Sequence, residues 1–579
     1  MRRPLSVDSS AISPDTKRMR PETDKAQLYD RQLRLWHESG QTALENAHVC
    51  VFGSSALASE SLKNLVLPGI GRFTVIDDAT VDDQDVLANF FVQHDDAGKP
   101  RAECIVAGLA ELNPDARGVA VVRAPADVLG SCESSDTDLV SSASLVMACG
   151  LPDALVHDLG LRCWQLGTPL IVASAAGFMA SIRTVVPEHA VVESHADMKQ
   201  DLRLSAPFPA LLSHVDGIDL NTLDPTELGH VPYAIIIVKA LQKWAAANNL
   251  TLGKDTIDIP YSRIREMRDI VRAMAPASDE ENFVEASKNL NANCTAYEIA
   301  FEVLQIIGDA AASETPTNSG SDDADLQASP SASIPTDGGS KDKFWLMAKA
   351  LRRFTESDYA EGKLPLSGAI PDMKADTKSY IALQRIYKQK ADEDKAEFSK
   401  HIHEILDAAG LPQDYVSQAE IDTYCKNARR LRLLRFTPIH TELKGKPSNI
   451  DELAFSEALH HYVLFRSSGI FFEKHRRYPG VPDGVKHVDL DDLVAADAVE
   501  LETIGNGLLV SWGIADQTVP DGLVAEFARS GHDELHNIAS LSGGVIAQEA
   551  IKLVTHQYVP ANNMCIVDGA ATKIHVARV

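Results

Sequence analysis

Gly53 and Asp77 lie 24 residues apart, a separation with a specific chemical use. In the stretch Ala47–Asp78, AHVCVFGSSALASESLKNLVLPGIGRFTVIDD, an apolar run (Val49–Phe52) reaches a glycine, a helical pattern follows (about Leu57–Val66), and a second apolar run (Phe73–Ile76) ends at Asp77. A βαβ unit of this kind offers phosphate the backbone N–H groups of a helix N-terminus, and offers a ribose hydroxyl the acid after its second strand. The glycines are mostly replaced. A G-x-G-x-x-G pattern beginning at Gly53 needs glycine at Ser55 and Ala58, and each Cβ obstructs the close approach of backbone to phosphate. Asp77 is therefore either a ribose anchor or a structural acid at a strand end.

Other residues carry weaker chemical signals. Cys294 is a candidate nucleophile, but a reactive thiol needs an exposed, electropositive setting and the alternative is a buried, inert one. His532 and His536 stand four apart, and on one helix they would face a common metal ion. Their polar surroundings favour capping of the helix expected from Ile538. The eight cysteines, at 50, 104, 132, 149, 163, 294, 425 and 565, include no C-x-x-C pair, which disfavours a disulfide framework or a cysteine zinc site and suits a reducing, intracellular setting. No metal site is expected in this chain.

These residues must be positioned by a large fold. The 579 residues allow several domains. A formal charge of −27, from 82 acidic and 55 basic residues, disfavours nucleic acid as a partner, because phosphate binding needs clustered cations. No apolar run is long enough to cross a bilayer, so no membrane partner is expected. The N-terminus lacks the apolar core of a secretory signal. Its Lys17–Arg20 cluster is either a nuclear address or part of a solvated tail, and the expected location is cytoplasm and nucleus.

Apolar strands at Gly118–Val122, Leu145–Ala148 and Leu170–Ala173 alternate with helices such as Arg101–Leu112, which Asn113-Pro114 stops. The expected fold class is α/β, a doubly wound, mostly parallel sheet with a large, mainly helical insertion. The expected division is a disordered tail (1–25), the first part of the α/β domain (26–182), helical insertion (183–310), a Ser-, Asp- and Pro-rich disordered linker (311–341), further insertion (342–500), and the rest of the α/β domain (501–579). That last part is expected to hold a possible strand at Leu508–Trp512, a helix at Ile538–Thr555 and a strand at Met564–Val567. In the insertion, Ile370-Pro371-Asp372-Met373 leads to Tyr380, Leu383 and Tyr387 at helical spacing, a stripe that is either core or partner surface.

Tyr29–Trp36 (YDRQLRLW), Leu62–Asp78 (LKNLVLPGIGRFTVIDD) and Glu534–Thr555 (ELHNIASLSGGVIAQEAIKLVT) together closely resemble the activating enzymes for ubiquitin and ubiquitin-like modifiers. Val86–Phe91, Glu193–Leu211, His230–Trp244 and Gly368–Ala391 narrow the resemblance to the regulatory-subunit branch of the neddylation cascade. It covers most of the chain from Tyr29 onward. It implies a degenerate Rossmann-like adenylation fold and a regulatory, scaffolding subunit in an obligate heterodimer. The catalytic partner would hold ATP, Mg and zinc, adenylate the modifier and capture it on its own cysteine. A conjugating enzyme would bind transiently. This chain would hold no cofactor.

Measured against that family's active pattern, the glycine-rich turn is Gly53–Ala58, the second acid of a D-x-D pair is Ala79, the phosphate-contacting arginine is Ala88, and the metal-associated aspartate aligns with Pro152, one residue before Asp153. Four losses at one site disfavour phosphoryl chemistry, which depends on positioned cations and donors. No catalytic residue is expected here. Arg31, in the Y-D-R-Q segment, is implied to reach the ATP phosphates of the partner subunit, a role a guanidinium suits. A salt bridge within its own domain is the alternative, and Arg34 is its neighbour. Ile370, Pro371, Asp372, Met373 and Tyr380 are the partner-interface candidates. The alternative functions are an accessory subunit of another modifier pathway, an autonomous ATP-dependent activating enzyme, a nicotinamide oxidoreductase, or an adaptor that has shed the activating role.

Overall fold

The structure, a computed structural model, describes residues 22–130, 139–196, 198–255, 257–277, 279–312, 342–482 and 489–579. The chain forms two units, one from the residues up to His189 together with Leu434–Val579, the other from Ala190–Leu433.

The first unit is built on a sheet whose strands are β1 (His48–Phe52), β2 (Arg72–Ile76), β3 (Arg117–Val121), β4 (Leu145–Cys149), β5 (Leu170–Ala176), β6 (Met179–Val185), β7 (Met564–Asp568) and β8 (Lys573–Ala577). Their spatial order is β8-β7-β6-β5-β4-β1-β2-β3. Strands β1 to β5 pair in parallel, whereas β6, β7 and β8 add antiparallel. The central strand β1 is buried on both faces. Val49 and Val51 enter one core and Cys50 and Phe52 the other, which is why its sequence is a continuous apolar run. The strand order reverses between β2 and β4, on either side of β1, and a crevice opens there at the C-terminal ends of the strands.

The helices used below are α1 (Asp30–Asn46), α2 (Ala56–Val66), α3 (Arg101–Leu112), α4 (Asp153–Leu166), α5 (Leu459–His475), α6 (Leu490–Trp512), α7 (Asp521–Ser530) and α8 (His536–Thr555). Helix α2 begins where the Ser55 side chain accepts the Ala58 N–H, and it buries Leu57, Leu62, Leu65 and Val66. Each such side chain contributes about 1.5–3 kcal/mol by leaving water. Helix α8 packs directly on it. A Cβ at Gly543 would lie 2.8 Å from the Glu60 carbonyl carbon and the Ser61 nitrogen, so the two helices touch only because that residue is glycine.

Helices α5, α6 and α7 share a core with Ala176 and Met179 and with Met564 and Ile566, the antiparallel end of the sheet. The chain thus returns to this unit at Leu434, not near residue 501, because helical periodicity alone does not reveal what a helix packs against. Leu508–Trp512 is the last turn of α6, not a strand. Leu501, Gly505, Leu509 and Trp512 line one buried helical face, and Gly513, at φ +90°, ends it. Strand β6 continues past residue 182. Residues Glu22–Leu28 are helical, so order begins within the expected tail; residues 1–21 lie outside the described set. Ala311 and Ala312, in the expected linker, close the helix Phe301–Ala312, and 313–341 lie outside the described residues. One long helix of the other unit runs without a break from Thr377 to Ala408.

The second unit is helical. Met373, Leu383 and Tyr387 lie in its core, and the Tyr387 hydroxyl donates to the Leu202 carbonyl at 2.6 Å. Met373 is therefore core, not partner surface. Ile370 and Tyr380 pack partly against the same cluster, Pro371 is half-buried and Asp372 is exposed. Asp394, buried in the long helix, accepts from the Tyr359 hydroxyl at 3.0 Å on Oδ1 and from the Leu366 N–H at 2.9 Å on Oδ2, and Lys390 Nζ lies 2.8 Å from the same Oδ1.

One buried ion pair ties the late segments to the sheet. Arg183 on β6 donates to Glu442 at 2.6 Å and to the Thr437 hydroxyl at 2.7 Å, while the Tyr462 hydroxyl donates to Glu442 at 2.9 Å. Both charged side chains are nearly inaccessible, 5% and 6% exposed. Arg183→Met leaves Glu442 uncompensated and is expected to lower the unfolding free energy of the sheet unit by about 3–5 kcal/mol. Adding Glu442→Leu should recover most of the loss in denaturant titrations.

Candidate functional site

The crevice beside β1 is a cavity of about 510 Å³. Its walls are Gly53–Ala56 after β1, Asp77 after β2, the short helix Asp83–Ala88, Arg101 at the start of α3, Cys149–Leu151 after β4, and His532–His536 before α8. Gly53 is required at this turn, since it sits at φ +93° and a Cβ would meet the Cys149 carbonyl oxygen at 2.3 Å.

Asp77 does not face the cavity as a free acid. Arg101 Nη2 donates to it at 2.9 Å, Arg101 Nη1 to Asp85 at 2.8 Å, and Arg101 Nε to the Ser54 hydroxyl at 2.9 Å. Ser54 in turn donates to Asp77, and the Ala79 N–H closes the turn on the same carboxylate at 3.1 Å. Burial by itself would raise the pKa of Asp77. The Ser54 hydroxyl and the Arg101 guanidinium outweigh it and hold the carboxyl below its usual range. Asp77 is the acid of an internal ion-pair network.

The helix N-terminus meant for phosphate is also engaged. The Leu57 N–H donates to Glu534 Oε2 at 2.6 Å, and the Ser55 hydroxyl donates to the same carboxylate. Neither Arg101 nor Glu534 was singled out by the sequence. Glu534 belongs to the quoted Glu534–Thr555 segment, yet its contact spans 477 residues and leaves no local pattern. Asp153, the neighbour of Pro152, opens α4, does not line the cavity, and accepts from Arg466 at 2.8 Å. Ala88 lines the wall and supplies no charge. A nucleotide does not fit this set: the Leu57 N–H at the helix start is bonded to Glu534, and Asp77 to Arg101.

His532 and His536 both line the cavity, but only His536 lies on α8, so the two do not share a helical face. His532 stacks flat on Tyr478, ring centroids 3.9 Å apart, and His536 Nε2 is 3.4 Å from Glu60. Neither caps α8, which starts after Leu535 without a side-chain cap. Cys294 is fully buried in the helical unit, and burial pushes its thiol up to about 12, far from thiolate chemistry.

Arg31 lies away from these groups, near the start of α1. Tyr29, the residue before that helix, is buried and its hydroxyl accepts from Asn113 at 3.1 Å. This anchor fixes the first turn, on which Arg31 is exposed and, among the described residues, makes no ion pair or hydrogen bond. Arg34, one turn on, is held by Asp30 at 3.1 Å. The helix is kinked at Trp36–His37, where Gln557 and Tyr558 donate to the carbonyls of Trp36 and Leu35 at 3.0 and 3.2 Å.

The ThiF family matches residues 29–579. The NEDD8-activating enzyme E1 regulatory subunit of Danio rerio is 37% identical over 555 residues, 94% of this chain and 96% of that relative. The chain belongs to the ThiF family, among the NEDD8-activating enzyme E1 regulatory subunits. The regulatory subunit AXR1 of Arabidopsis thaliana is 31% identical over 98% of this chain and 97% of its own length, and that of Saccharomyces cerevisiae is 25% identical over 93% and 97%. Membership in this regulatory-subunit family therefore extends through both units, the sheet and the helices alike.

The site's ionisation has a stability consequence. Burial pushes His532 down to about 4, so it stays neutral in the fold at a pH where the unfolded imidazole, near 6.5, takes up a proton. Its share of stability is complete above about pH 6.5 and is lost as pH falls toward about 4. His532→Phe keeps a ring on Tyr478, and thermal melts across that window should show a flatter dependence of midpoint on pH than wild type.

Proposed function

We propose that this chain is the regulatory, non-catalytic half of a heterodimeric activating enzyme, in which the catalytic partner adenylates a ubiquitin-like modifier of the neddylation pathway and carries it as a thioester. ATP, Mg and zinc belong to the partner. The observation that carries this reading is the state of the half-site: Arg101 and Glu534 of the chain itself hold the positions a nucleotide would need. A fold can keep its sheet for assembly after its own site has been filled by side chains.

Arg31 is the chain's contribution to the partner's chemistry. It is exposed, lacks a competing carboxylate among the described residues, and stands on a turn fixed by buried Tyr29. A guanidinium so placed can bridge two phosphate oxygens without first breaking an internal pair. In the helical unit, Ile370, Pro371, Asp372 and Tyr380 remain candidates for contact with the partner, the modifier or a transiently bound conjugating enzyme, Asp372 being the exposed member.

ATP–pyrophosphate exchange tests the reading. The isolated chain supplied with modifier should give none, and measurable exchange without a partner sinks the non-catalytic assignment. In the reconstituted heterodimer, Arg31→Ala should slow adenylate formation by about 10²-fold, the scale of one lost transition-state donor, with Arg34→Ala close to wild type. An unchanged Arg31→Ala rate removes the role in trans.

A further inference from the structure

The anion end of the cavity is filled by an acid of the chain itself. Helix α2 is 11 residues long and its first turn points N–H groups into the crevice, where a bound phosphate would normally satisfy them. Glu534 Oε2 takes the Leu57 N–H at 2.6 Å, and the Ser55 hydroxyl reinforces it. The cation at the same end is committed too, since all three kinds of Arg101 nitrogen are bonded, to Asp77, Asp85 and Ser54. Asp82 and Asp533 add negative charge to the walls.

From this geometry we infer that Glu534 acts as an internal counter-ligand, holding shut a latent anion site at the N-terminus of α2 whose natural ligand class is a polyphosphate. The helix end is still a good anion site, and it is used as one. What has changed is that the anion is covalently part of the chain, present at an effective concentration no free ligand reaches. Burial raises the pKa of Glu534, against the Leu57 N–H and the Ser55 hydroxyl that favour its charged form, and a second anion would have to displace it from the Leu57 N–H, the donor both would use. The device deepens the non-catalytic reading of this half, since it explains how nucleotide is kept from the unused one of two related sites. Arg31 plays no part in it, so the outcome is separable from the exchange results.

The test is pyrophosphate binding to the purified full-length chain, read by calorimetry and by thermal melts, for wild type, Glu534→Ala, Glu534→Gln and Asp533→Asn. Wild type should show no response. Glu534→Ala vacates the donors and should bind pyrophosphate, its midpoint rising by a few degrees for each roughly tenfold increase in ligand beyond saturation. Glu534→Gln removes the charge but keeps the bulk, so its binding should be detectable and weaker. Asp533→Asn removes one wall charge but frees no α2 donor, so its gain should be far smaller than that of Glu534→Ala. A response in wild type equal to that of Glu534→Ala, an equal gain in Asp533→Asn, or no response in folded Glu534 variants overturns the assignment. If Glu534→Ala does not fold, Glu534→Gln decides alone.

Discussion

The contact between α2 and α8 is the constraint on which the sheet unit depends. Gly543 lets two helices from opposite ends of the chain meet at backbone distance beside Glu60. That single approach covers one face of the sheet with Leu57, Leu62, Ile546 and Leu553, and it places the residues just before α8 against the first turn of α2. Glu534 reaches the Leu57 N–H because α8 is already packed. The packing that completes the core thus also completes the electrostatics of the crevice. Arg101 completes the other side, at the start of a helix on the same face.

Much of the sheet was legible in the sequence, and the physical reason is burial. Parallel strands covered on both faces are continuous apolar runs, so β1, β2, β4 and β5 stand out, and the helix between β1 and β2 is bounded by Ser55 and the Pro68-Gly69 turn. Strands β6 and β8 were not legible. Arg183 and Thr184 interrupt β6 with polar groups that are buried only because segments more than 250 residues away satisfy them, and β8 alternates in the manner of an edge strand. The C-terminal turn of α6 looks like a strand in sequence because a run of four apolar residues and a serine fits either a strand or a helix end.

The candidate site was legible as a loss but not as a replacement. Ala79, Ala88 and the missing glycines are visible against the family's active pattern, and they say what is gone. Arg101 and Glu534 say what took its place, and both act through contacts distant in sequence, 24 residues for Arg101 to Asp77 and 477 for Glu534 to Leu57. Arg31 is the reverse case. Its motif was legible, and the fold adds the buried Tyr29 that fixes it and the absence, among the described residues, of a competing acid.

The sheet is closed by strands that the ribosome makes last. Once β6 emerges, its outer edge has no neighbour until β7, which begins at Met564, has been synthesised. At about 5–20 residues per second, translation of the intervening chain takes tens of seconds. Throughout that interval an unpaired strand edge and the uncovered face of α2 are open to other chains, the condition under which β-edges associate wrongly. The helical unit has time to fold on its own core in the meantime. The β6 edge is thus protected only when α8 and β7, the late elements of the chain, dock on the sheet.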